Sequence, residues 1–164
     1  MLRVLADGEE RHRLEDARGR EVGWVRGRVV TLGWFADERR ALAATGAAWR
    51  ALDATLRRAF AGWPRYAPAL DRLHVVHDGV DEWLSDGHAR LARVVRPRRG
   101  AAPADAVALA FELPSYAHEG LAVTAAQAMA QAVHEPVAPV AAHLPTASHA
   151  PHTSPAPHAD RATA

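Results

Sequence analysis

Apolar and polar residues alternate in short runs over the first third of the chain, and the period then lengthens to that of a helix. Leu2-Arg3-Val4-Leu5-Ala6 reads as a short strand ending at Asp7-Gly8, a hairpin signal because both residues tolerate positive φ. Residues 11–16 alternate weakly, and Ala17-Arg18-Gly19 reads as a turn. Glu21-Val22-Gly23-Trp24-Val25-Arg26 and Val29-Val30-Thr31-Leu32-Gly33-Trp34-Phe35 follow as strands. Gly27-Arg28 between them fits a Gly-X turn of type II′. That register pairs Arg26 with Val29, Trp24 with Thr31, Gly23 with Leu32 and Val22 with Gly33. From about Asp37 to Phe60, Leu42, Trp49, Leu52, Leu56 and Phe60 recur on one helical stripe. Asp37 is the expected N-cap, Glu38 suits the positive end of the dipole, and Gly62 and Pro64 stop the helix. Gly46 inside it suggests close packing on the sheet.

The second half follows a similar plan. Leu73-His74-Val75-Val76-His77-Asp78-Gly79 aligns with Leu2 to Gly8, sharing Leu, Val, Asp and Gly at four of seven positions. A strand at 80–84, a turn at Ser85-Asp86-Gly87 and a strand over 88–96 are expected next, the last because Val94-Val95 precedes Pro97. Ala106 to Leu113 reads as the last strand. Ser115 is expected to cap a helix of small residues from Tyr116 to about Val133. The expected fold class is α+β: two copies of an antiparallel strand meander followed by one helix, at 2–61 and 72–134, with the helices packed on one sheet or two. Residues 1–134 then form a single domain.

Composition changes at Glu135. Residues 135–164 hold six Pro and four His, one Leu (Leu144) and no aromatic residue. Too little apolar surface is available there to offset ordering entropy, so a disordered Pro/Ala/His-rich tail is expected. The chain has 164 residues, no Cys and a net charge of +1. Disulfides, thiolate metal sites and cysteine catalysis are thereby excluded. All 20 basic residues are Arg, and residues 1–70 carry 13 of them against 9 acids. That excess falls short of the footprint of a dedicated nucleic-acid domain. No apolar run approaches a membrane span or a secretory signal, so a cytoplasmic protein without membrane contact is expected.

Candidate chemistry is sparse. Trp24 and Arg26 share a strand face, Arg28 sits at the hairpin tip and Trp34 lies on the next strand. Aromatic rings beside Arg can stack bases and hold phosphates, and the same rings in strands are ordinary core patterning. His74-Val75-Val76-His77-Asp78 would suit a metal or a base on a helix, but on a strand the two His point to opposite faces. His118-Glu119 is expected in the first turn of the second helix, as a conceivable acid/base pair. Arg90, Arg93, Arg96, Arg98 and Arg99 form the densest basic run. His143, His149, His152 and His158 lie in the expected tail. Phosphate-loop, dinucleotide, nucleophile-elbow and zincin motifs do not occur. The expected function is that of a non-enzymatic interaction module with no cofactor or metal, binding a protein or a second copy of itself. Two alternatives stand beside it: a nucleic-acid binder using the Arg/Trp hairpin, and a small enzyme or metal protein using His74, His77 and Asp78.

Overall fold

The structure is a computed structural model and describes residues 1–64 and 66–134; the expected tail at 135–164 lies outside the described residues. Eight strands form one antiparallel sheet: β1 (Arg3–Ala6), β2 (Arg11–Glu15), β3 (Glu21–Arg26), β4 (Val29–Phe35), β5 (His74–Asp78), β6 (Asp81–Ser85), β7 (Arg90–Val95) and β8 (Val107–Glu112). Helix α1 (Glu38–Ala59) follows β4, and helix α2 (Glu119–His134) follows β8. The sheet order is β1-β2-β3-β4-β8-β7-β6-β5, so β4 and β8 meet at the centre and β1 and β5 form the edges. The weak alternation at 11–16 is a full strand.

Turn chemistry sets much of this register. Gly27 has φ +57° and no non-glycine residue among the described residues has positive φ, which fits the expected type II′ turn. Arg26–Val29, Trp24–Thr31 and Gly23–Leu32 pair as expected. The Val22–Gly33 pair does not form, because bulges interrupt both strands near those residues. β3 gains a residue between its partners for Leu14 and Glu15, and β4 gains one between Leu32 and Phe35. Gly33, inside the β4 bulge, has φ +130°, and a Cβ there would lie 3.0 Å from the Ala108 Cα.

Both helices pack on one face of the sheet and against each other. Asp37 caps α1, its Oδ1 accepting from the Arg40 N–H at 2.9 Å. The buried line of α1 is Ala41, Thr45, Ala48, Leu52 and Leu56; Leu42 and Trp49 are only half-buried. Burial is rotated toward small residues because α1 must lie against α2 as well as the sheet. α2 matches it with Ala122, Ala125, Ala126, Met129 and Ala130, all fully buried. Gly46 makes room for the side chain of Leu70, in a short 3₁₀ turn at Leu70–Arg72, and not for the sheet. α2 begins at Glu119, later than expected. Residues 114–118 form a turn, and His118 takes the cap position, its Nδ1 accepting from the Leu121 N–H at 3.1 Å. The core joins these helix residues to Leu14, Val25, Val30, Leu32, Leu84, Leu109 and Phe111 of the sheet. Each fully buried large side chain contributes about 1.5–3 kcal/mol.

Candidate functional site

Residues paired across antiparallel strands share a face. Leu14, Gly23, Leu32, Leu109 and Val94 form one such row and belong to the helix side. One residue along, the row runs Leu5, Arg13, Trp24, Thr31, Ala110, Arg93, Trp83 and Val76 from β1 to β5. This second row lies on the opposite face, where no helix packs among the described residues. At its centre Thr31 is 4% exposed and Ala110 is 5% exposed, shielded by larger neighbours.

The Arg/Trp hairpin supplies one half of that face. Trp24 and Trp34 are half-buried with ring centroids 5.7 Å apart. The Arg11 guanidinium lies 5.5 Å above the Trp24 ring. Arg26 is exposed two residues further along β3. Arg28 leaves the cluster, its guanidinium 3.7 Å from Glu112. The other half comes from residues the sequence did not single out for this role. Trp83 on β6 is half-buried, the Arg90 guanidinium lies 5.3 Å above its ring, and Arg93 is exposed beside it. A depression of about 250 Å³ is bounded by Val29, Asp81, Trp83, Arg93, Ala110 and Glu112. Only the return of β8, β7 and β6 beside β4 brings the two halves together.

The cations of this face are largely matched. Arg11 pairs with Asp7 and with Glu21 at 3.0 Å, Arg13 with Glu15 at 2.9 Å, and Arg90 with Asp78 at 2.8 Å. Arg26, Arg93 and the exposed acid Asp81 have no ion-pair partner among the described residues. A face of this kind can bury aromatic area and exchange a few charges.

Most of the other candidate residues make contacts within the fold. His74–Asp78 is a strand, with His74 Nδ1 2.8 Å from the Arg72 carbonyl and His77 Nδ1 3.9 Å from Glu82. No group of His, Asp and Glu among the described residues is placed to hold a metal. Glu119 lies 3.1 Å from His12 Nδ1, tying α2 to β2. Arg96 bonds both Glu82 and Glu38, and its guanidinium holds the Glu82 carboxyl below its usual range. Arg98 and Arg99 are exposed in the β7–β8 loop. The most perturbed groups are Asp86 and Tyr66. Burial raises the Asp86 pKa, but hydrogen bonds from the Tyr66 hydroxyl and from the Ala89, His88 and Ala69 N–H groups outweigh it and hold the carboxyl far below its usual range. The same bond, with burial, pushes the Tyr66 phenol up to about 12. This node pins the segment after α1 to the β6–β7 turn.

A larger hollow of about 720 Å³ lies between the N-terminus, the β2–β3 turn and the end of α2. Its acid, Asp16, is held by the Arg18 and Arg20 N–H groups and the Arg20 guanidinium, so it serves its own turn. No helix among the described residues is long and apolar enough to cross a membrane. No family model, curated protein or solved structure matches the chain.

Proposed function

We propose that the chain is a non-enzymatic protein-interaction module that docks its partner on the helix-free face of the sheet. One observation carries this reading: Trp24, Trp34 and Trp83 stand half-buried on a face that no helix among the described residues covers, among cations largely matched by acids of the same face. Trp and Arg dominate the energetics of protein interfaces. A polyanion would instead favour a face of unmatched cations, since its affinity comes from neutralised phosphates. The test is a photo-crosslinking residue at Arg93, compared with one at Ala54 on the exposed side of α1, in cells expressing the full chain. Protein adducts from position 93 and none from position 54 support the reading. Adducts to nucleic acid at 93, or none at all, refute it. The proposal takes the protein as cytoplasmic, and cell fractionation tests that placement.

Nucleic-acid binding, as a second reading, moves off the hairpin to α1. Arg39, Arg40, Arg50 and Arg58 are exposed there without ion-pair partners among the described residues. It predicts an affinity for single-stranded RNA that falls steeply with salt and is lost in an Arg39→Ala, Arg50→Ala variant.

We also infer that β1–β4–α1 and β5–β8–α2 are copies of one unit. The sheet order supports this, since it runs β1 to β4 from one edge and β5 to β8 from the other. An Asp-Gly pair stands at the end of the first strand in each half, Asp7-Gly8 after β1 and Asp78-Gly79 at the end of β5.

A further inference from the structure

We propose that the partner on this face is a second copy of the same chain, packed face to face about a two-fold axis along the β4–β8 seam. The proposal rests on the interaction reading above and names its occupant. Breadth is the first argument. Trp24 on β3 and Trp83 on β6 are four strand spacings apart, about 19 Å at the usual interval. A docked helix, about 10–12 Å across, covers one of them and leaves the other wet. A sheet covers both. Eight strands of four to seven residues give a face about 34 Å by 17 Å. With side-chain relief that area approaches the ~800 Å² each partner contributes to a standard interface.

Self-complementarity is the second argument. A two-fold contact requires one patch to fit itself. Rotation about the seam lays each strand over its counterpart at the same distance on the other side: β3 over β7, β2 over β6 and β1 over β5. In the exposed row, Trp24 then meets Arg93 of the second copy, and Trp83 meets its Arg13. Leu5 meets Val76, and the low centre of the face at Thr31 and Ala110 lies over its own copy. Both rings of the row, Trp24 and Trp83, face a guanidinium, every contact occurs twice, and no like charges oppose one another in the row. Arg93 is exposed and has no ion-pair partner among the described residues. Face-to-face sheets cross at about 30°, which keeps these central pairs within reach of their long side chains.

The test uses full-length chain in sedimentation equilibrium, with Trp24→Arg and Arg93→Glu variants. The wild type is expected at twice the 17.7 kDa chain mass. Trp24→Arg sets Arg against Arg twice, and Arg93→Glu sets a carboxylate against each ring. Each variant alone is expected to associate at least roughly tenfold more weakly, from the loss of two cation–π contacts. An equimolar mixture of the two is expected to recover a dimer, since one interface then holds one Arg–Glu pair and one native Trp–Arg pair. Recovery also shows that both variants are folded. A wild type that stays monomeric overturns the dimer, and variants that dimerise as well as wild type overturn the seam axis. So does a mixture that fails to recover while both variants keep native circular dichroism. A monomeric wild type that still crosslinks another protein through position 93 refutes self-association alone and leaves the interaction reading standing.

Discussion

Replacing Asp86 with Ala tests the polar node that closes the fold. Asp86 is 1% exposed. Its Oδ1 accepts from the His88 and Ala89 N–H groups at 2.9 Å each, and its Oδ2 from the Ala69 N–H at 3.1 Å and from the Tyr66 hydroxyl. Alanine leaves all four donors without that acceptor. A buried donor that loses its partner costs about 1–3 kcal/mol. Tyr66 and Ala69 are half-buried and His88 is exposed, so water replaces part of the loss. The expected destabilisation is about 3–5 kcal/mol, a large fraction of the stability of a domain this size. Urea unfolding followed by tryptophan fluorescence reads it directly, because Trp49 stands edge-on to Tyr66 at 6.0 Å and its Nε1 donates to the Tyr66 carbonyl. Tyr66→Phe removes one charge-assisted bond and should cost about 1.5–3 kcal/mol. Because the folded-state pKa of Asp86 lies below its unfolded value, its contribution is complete above the ordinary carboxylate range and fades as pH falls through the folded value. The gap between wild type and Asp86→Ala should therefore be flat from about pH 5 to 8 and close in acid. A difference under about 0.5 kcal/mol at neutral pH would refute the account of this node.

Two glycines should respond oppositely to alanine in the same assay. Gly33→Ala forces a Cβ to 3.0 Å from the Ala108 Cα at φ +130°, and about 2 kcal/mol or more of destabilisation is expected. Gly46→Ala brings its Cβ to 2.8 Å from Leu70 Cδ1, the end of an exposed flexible side chain that can turn away. Helix propensity then dominates, and a change between neutral and about 1 kcal/mol of stabilisation is expected. Asp37→Ala should cost about 1 kcal/mol by freeing the Arg40 N–H, measured as a lowered urea midpoint at unchanged slope.

Local signals carried the elements, and long-range pairing decided the site. Gly27, the Asp-Gly turns and Asp37 each act within a few residues, and each feature they predict is present. The bulges beside Val22 and Gly33 answer to neighbouring strands, so alternation alone cannot place them. Ser115 is a good cap by type, but a turn from Pro114 to Ala117 delays α2 until His118 caps it. Trp24 and Trp34 were accessible as a pair because they sit on adjacent strands. Trp83 and Arg93 lie some sixty residues further on, and nothing local says that β6 and β7 continue the face begun by β2 and β3. Strand order says it.

Placing both helices on one face sets two demands on the other, and the same rings meet both. Thr31 and Ala110 are nearly fully buried with no helix over them among the described residues, so the taller side chains around them exclude water there. Trp24, paired with Thr31, and Trp83, beside Ala110 in the depression, stand where that shielding is needed. Truncating either ring should weaken folding and association together. Arg93 is exposed, so Arg93→Glu should change stability by no more than about 0.5 kcal/mol relative to wild type. The two effects thus separate by residue. If Arg93→Glu lowered stability as much as Trp24→Ala does, Arg93 would belong to the fold of the single chain, and the guanidinium–ring contacts would not be its role.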